Sequence, residues 1–217
     1  MVDFQERDTT RGLDEGSREG ENGEGEIEAQ GSEDEEHARG HDHDHEHGHG
    51  DLGVDALGAA VVTVSSSRTL EDDPSGDALA SAFENAGHAV VTRELVEDAY
   101  DNIQRTVSTL AGRGDVDLVV TTGGTGVTPD DVTPEAVRPL FDKELPGFGE
   151  LFRRRSEEKI GARTIASRAT AGIAGGVPVF CLPGSENAVR LGVDELILPE
   201  AEHLVGLARH EEEEDEE

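Results

Sequence analysis

The feature that most constrains this chain is an alternation of short Val-rich runs with helix-like stretches, in which several runs end in a loop of small or polar residues. Ala59–Val64, His88–Val96, Val116–Thr122 and Val177–Leu182 read as strands. Between them, Asp77 is placed to cap a helix over Ala78–Ala86 that Gly87 stops, and Asp98 to open one running to about Ala111. Thr133 and Pro134 suit the start of another helix, and a further one covers Pro146 to about Glu158. A helix follows Pro183-Gly184-Ser185, and Pro199–Arg209 is a last amphipathic one. Continuous rather than alternating apolar strands belong to a parallel sheet buried on both faces. The expected architecture is therefore α/β: three layers, doubly wound, a mostly parallel sheet with helices on both sides. Ligands of such sheets bind outside the carboxyl ends of the strands. Ser65–Arg68, Asp98, Gly123–Asp131 and Pro183–Ser185 all fall there, which predicts one shared site.

Charge divides the chain. It has 217 residues with 50 acids against 18 bases, a net charge of −32. Residues 1–56 are rich in Glu, Gly and Asp and poor in aromatic and β-branched residues, so they are expected to be a disordered tail. Within that tail, His41, His43, His45, His47 and His49 alternate with small or acidic residues, a string able to chelate Zn²⁺ or Ni²⁺ loosely. Residues 57–210 hold the core of one domain, and 211–217, all acidic, are expected to be a second tail. Such acidity argues against nucleic acid and against an anionic membrane surface as partners. No run approaches the roughly 18–20 apolar residues of a spanning helix, and the first 30 residues lack the apolar core of a secretion signal. A cytoplasmic location is expected. With 16 of its 18 bases arginine, the surface suits a cytosol at molar salt, where self-repulsion is screened. The single cysteine, Cys181, excludes an intrachain disulfide and reads as a core thiol.

The glycine loop carries the chemistry. Gly123, Gly124, Thr125 and Gly126 follow a strand directly, and glycines there let backbone N–H groups face an anion. There is no Gly-Lys-Ser/Thr continuation and no third spaced glycine, so this is neither a nucleoside-triphosphate P-loop nor a dinucleotide fingerprint. Taken alone, a plain tight turn explains the glycines equally well. Thr133, Pro134 and Glu135 are explained as helix-start chemistry. Asp130 and Asp131 are not. Carboxylates beside a phosphate cradle repel the ligand unless a cation intervenes, and Mg²⁺ binds through one or two carboxylates plus phosphates. A solvated acidic loop is the alternative. Arg68 and Arg168 are candidate anion binders or structural ion pairs. Arg153–Arg155 read as helix-surface ion pairs with Glu157 and Glu158.

Thr122–Ala136, Phe141–Glu150, Ser167-Arg168-Ala169-Thr170-Ala171-Gly172 and Leu182–Ser185 together closely resemble the MoaB/MogA family of molybdenum-cofactor biosynthesis proteins, and the MoaB branch in particular. The resemblance spans roughly residues 58–210 in order and leaves the tails outside. It implies a molybdopterin-binding fold, with ATP and molybdopterin as substrates, Mg²⁺ as cofactor, and a homotrimer or a hexamer built from two trimers. The implied activity is adenylylation of molybdopterin, with release of pyrophosphate. By the same resemblance, Gly123, Gly124, Thr125 and Gly126 form the phosphate loop, and Asp131 and Asp98 are the catalytic, Mg²⁺-holding carboxylates. Pro183, Gly184 and Ser185 form a second binding loop, and Ser65 and Ser67 a third. Ser67 stands where the MogA branch commonly has an acid, so the third loop departs from that pattern. Two other readings remain open on the sequence: a pterin-binding or scaffold protein without catalysis, and a metal buffer acting through the His-rich tail.

Overall fold

The computed structural model of the chain describes residues 56–214, and side chains through Arg209. The predicted N-terminal tail and its His string lie outside the described residues. Six strands form one sheet: β1 (Gly58–Val64), β2 (Ala89–Val96), β3 (Leu118–Thr122), β4 (Lys143–Glu144), β5 (Thr170–Ala174) and β6 (Val177–Leu182). Their order is β2-β1-β3-β6-β5-β4. The β1/β2, β1/β3 and β3/β6 pairs are parallel, while β5 and β4 add an antiparallel edge.

Strand alternation sends residues to two separate cores. On one face Ala59, Val61, Leu118, Val120, Phe180 and Leu182 pack with α1 (Pro74–Asn85), α4 (Pro146–Ile160), α5 (Glu186–Gly192) and α6 (Ala201–Glu214). On the other, Ala60, Val62, Val64, Val119, Val179 and Cys181 pack with α2 (Tyr100–Ala111) and α3 (Thr133–Val137). Every residue of β1, β3 and β6 is buried, which is why those runs carry no charge and are apolar apart from Thr63, Thr121 and Thr122. The three-layer, mostly parallel architecture expected from the sequence is present.

Several boundaries differ from expectation. Helix α1 starts at Pro74, capped by the Asp73 carboxylate, which accepts from the Gly76 N–H at 3.0 Å. Asp77 lies inside it. The Pro-Ser-Gly wording looked like a loop, yet proline suits the first helical position, and Ser75 and Gly76 are buried there. Asp98 does not open α2, which begins at Tyr100; its side chain turns back to Ser66 instead. Thr133 is not a cap either, since its hydroxyl donates to Gly123 O at 2.9 Å. The antiparallel β5 and β4 were not predicted as strands; they are short, and Ala and Gly dominate β5. Finally, α6 runs on to Glu214, so part of the segment expected to be an acidic tail, residues 211–217, is helical. Glutamate is a good helix former, which suits that continuation.

Candidate functional site

The C-terminal rim of the parallel strands carries a cleft of about 400 Å³. Of the residues singled out in the sequence, Gly123, Gly124, Thr125, Gly126, Asp131, Pro183, Gly184 and Ser185 line it. Ser65, Ser67 and Asp98 stand outside that lining, but Asp98 borders the glycine loop: a Cβ on Gly124 would lie 3.3 Å from Asp98 Oδ1.

The glycine loop is held by its carbonyls. Gly123 O accepts from Thr133 Oγ1 at 2.9 Å and Gly124 O from the Thr133 N–H at 3.0 Å. Thr125 O accepts from the Arg168 N–H at 3.1 Å and Gly126 O from Arg168 Nε at 2.6 Å. Four consecutive carbonyls are thus engaged by the protein. No peptide bond is cis, and in a trans peptide the N–H points opposite to the preceding C=O. The N–H groups of Gly124 and Thr125 therefore point away from Thr133, and both residues line the cleft. Glycine is required at 124 twice over. Its φ is +63°, and a Cβ there would meet Thr133 Oγ1 at 2.2 Å.

Asp131 closes the loop. Its Oδ2 accepts from the Thr128 N–H at 2.8 Å and from Thr128 Oγ1 at 2.5 Å. A Cβ on Gly126 would stand 2.7 Å from the same oxygen, so the loop needs a bare backbone beside the carboxylate. Partial burial pushes the Asp131 carboxyl upward. The Thr128 hydroxyl, the Thr128 and Gly126 amides and the Arg168 charge together outweigh that and hold it below the usual carboxylate range. Asp130, the other half of the acidic pair, is exposed and is not among the residues that line the cleft.

The facing lip is Pro183–Ser185. Pro183 O accepts from Thr122 Oγ1 at 3.1 Å. Gly184 O accepts from Ser75 Oγ at 2.8 Å and from Arg68 Nη2 at 3.1 Å. The Ser185 hydroxyl accepts from the Ala188 N–H and caps α5. Arg68 also reaches the buried Asp73 carboxylate, so both sequence-nominated arginines serve as braces. The serine loop is tied both to itself and to β2: Ser65 Oγ accepts from the N–H groups of Ser67 and Arg68, at 3.3 Å each, and the Ser65 N–H donates to Val96 O at 2.9 Å. Asp98 Oδ2 accepts from Ser66 N–H and Ser66 Oγ at 3.0 and 3.1 Å.

The sequence reading missed the side wall. Phe152, Ser156 and Ile160 line the cleft from α4, with Ala166, Ser167 and Ala188 beside them. Their spacing of four places Phe152, Ser156 and Ile160 on one helical face, a signal the sequence did contain. Cys181 is not in the lining; it is buried in β6 in the core shared with α2 and α3, and burial raises its thiol to about 11 despite the nearby Thr121 hydroxyl and Arg138 charge.

The donor set suits Mg²⁺ rather than a softer metal. Among the described residues no three His, Cys, Asp or Glu side chains gather as a metal site. Asp131 beside Gly126 and Asp98 beside Gly124 are hard carboxylate donors, the kind that would suit Mg²⁺ were phosphates and water to supply its remaining ligands.

This fold and rim define a class. A family model described as "Probable molybdopterin binding domain" matches residues 60–203, and the chain belongs to that family, within its MoaB-type molybdenum-cofactor biosynthesis members. It is 49% identical over 154 residues to "Molybdenum cofactor biosynthesis protein B" of Bacillus subtilis (strain 168), covering 70% of this chain and 89% of that protein. A crystal structure of a molybdenum cofactor biosynthesis protein B superposes with a TM-score of 0.70 at 46% identity, covering 71% of this chain and 97% of that one. The tungsten cofactor synthesizing protein MoaB from Pyrococcus furiosus superposes with a TM-score of 0.62 at 39% identity, covering 71% and 98%. Among the described residues no helix is long and apolar enough to cross a membrane.

Proposed function

We propose that this protein adenylylates molybdopterin at the cleft, using ATP with Mg²⁺ and releasing pyrophosphate. The observation that carries the reading is the glycine loop. Its carbonyls from Gly123 to Gly126 are engaged by the protein, and the loop lines the cleft together with Asp131, whose carboxyl is held below the usual range. The molybdopterin-binding family and relatives named for molybdenum-cofactor biosynthesis supply the substrate class.

In the proposed reaction a terminal oxygen of the pterin phosphate attacks the α-phosphorus of ATP. The bond from that phosphorus to the bridging oxygen breaks, and pyrophosphate leaves with both electrons of the bond. The nucleophile is already anionic at neutral pH, so no side chain has to take a proton. The work left to the protein is positioning and charge stabilisation. Loop amides donate to phosphate oxygens, with fixed direction and little reorganisation. Asp131, with Asp98, would hold Mg²⁺, which neutralises charge on the phosphates when bound. The wall formed by Phe152 and Ile160 gives an apolar surface for a ring.

Purified full-length protein mixed with MgATP and molybdopterin, at high KCl, tests this. Adenylated molybdopterin and pyrophosphate in equal amounts support it. Binding of molybdopterin without turnover would leave a binding protein of the same fold.

A further inference from the structure

We propose that Arg168 is a positioning residue: it fixes the glycine loop in the shape that receives a magnesium–nucleotide. The inference rests on the functional reading above and deepens it.

Its origin is topological. Arg168 stands two residues before β5, which runs antiparallel to β6 with Thr170 opposite Cys181. An antiparallel strand brings its start, not its end, to the rim where parallel strands finish. Arg168 is thereby delivered to the glycine loop from an element whose exit faces the other way. From there one residue touches the whole span between Thr125 and Glu135. Its main-chain N–H donates to Thr125 O at 3.1 Å. Nε donates to Gly126 O at 2.6 Å and Nη2 to Asp131 O at 2.6 Å. Nη1 pairs with the Glu135 carboxylate.

The guanidinium therefore bridges the two ends of the Gly126–Asp131 turn, with three of its nitrogens committed to protein acceptors. It acts through the loop rather than as a phosphate ligand. The planar fork is what makes the bridge: one rigid group donates in two directions at fixed angles, which an ammonium on a flexible stem does not reproduce. Its charge also helps keep Asp131 ionised. The Glu135 pair is half-exposed and contributes little, less still at high salt. The carbonyl bridge does the holding.

The test uses the full chain at high KCl. MgATP is titrated calorimetrically into wild type, R168K and E135Q, and amide hydrogen exchange is followed in the ligand-free proteins. R168K is expected to weaken MgATP binding about tenfold and to speed exchange across residues 124–131, while exchange in β3 and β6 stays at the wild-type rate. E135Q is expected to stay within about twofold of wild type. The proposal is overturned if R168K binds MgATP as wild type does, if loop exchange is unchanged, or if E135Q matches R168K, which would make the ion pair rather than the bridge responsible. Should R168K not fold, R168Q carries the same two readouts. Wild type that fails to bind MgATP would end the adenylylation reading, and loop exchange alone would then decide the positioning role.

Discussion

The glycine loop and the serine loop leave neighbouring parallel strands at the same rim, yet they are held in different ways. The glycine loop after β3 is tied by Thr133 and Arg168, which lie outside it in the chain, and lines the cleft. The serine loop after β1 is exposed at Ser66 and Ser67, where it is tied to Asp98 and to Ser65 Oγ through exposed hydrogen bonds. A loop fixed by remote partners that are at least half-buried keeps its shape before a ligand arrives. A loop tip held by exposed polar partners costs less to rearrange. The first is built to pre-organise charge stabilisation, the second to adjust around whatever the first has bound.

Substitutions along the rim should separate the two behaviours. The largest effect is expected from D131N, which keeps the shape but removes the charge; adenylylation should fall by about a hundredfold or more, with circular dichroism and Tm close to wild type. Near-wild-type single-turnover rates in D131N would erase the distinction drawn for the glycine loop. G124A comes next. A side chain at φ +63° within 2.2 Å of Thr133 Oγ1 has to move the loop. Strain of about 1–3 kcal/mol is expected in urea unfolding, together with weaker MgATP binding. D98N should act more mildly than D131N, because Asp98 is the second of the two carboxylates proposed to hold Mg²⁺ and also anchors Ser66. A fall in kcat of several-fold, with a rise in KM for MgATP, would fit both roles, whereas unchanged turnover would remove Asp98 from the charged centre. The smallest effect concerns β6, the strand that leads into the Pro-Gly-Ser loop. With its thiol at about 11 and fully buried, Cys181 should resist alkylation at about pH 8 in the native protein, since little thiolate is present there. Rapid labelling would mean that the sheet opens there.

The pH dependence follows from the same carboxylate. Asp131 is held below the ordinary carboxylate value of about 3.9. Its favourable contribution is complete above that ordinary value and is lost only as pH falls through the lower folded-state one. Turnover should therefore show no acid limb from Asp131 between about pH 7 and pH 5.

Much of this was legible in the sequence because parallel strands announce themselves. β1, β3 and β6 are buried on both faces, so their runs are uncharged and mostly apolar, and the loops that follow them are the ones that meet. Gly123–Gly126, Asp131 and Pro183–Ser185 were found on that principle and by resemblance, and they do share one cleft. What escaped has a physical reason in each case. The β5 strand is Ala- and Gly-rich and antiparallel, so neither its composition nor the rule about strand exits pointed to Arg168 as a brace for the loop. Asp73 rather than Asp77 caps α1, because Pro74 and Gly76 sit inside a helix start whose wording resembles a turn. Phe152 and Ser156 belong to a helix rich in charged residues, which hid the face they present to the cleft.

The central claim is that the rim between the glycine loop and the Pro-Gly-Ser loop transfers an adenylyl group. Its most direct measurement is the fate of ATP labelled at the α-phosphorus, incubated with molybdopterin, Mg²⁺ and the protein at high KCl. The account predicts label in the pterin product, matched one for one by pyrophosphate and abolished in D131N. Tight molybdopterin binding with the label remaining in ATP would contradict it.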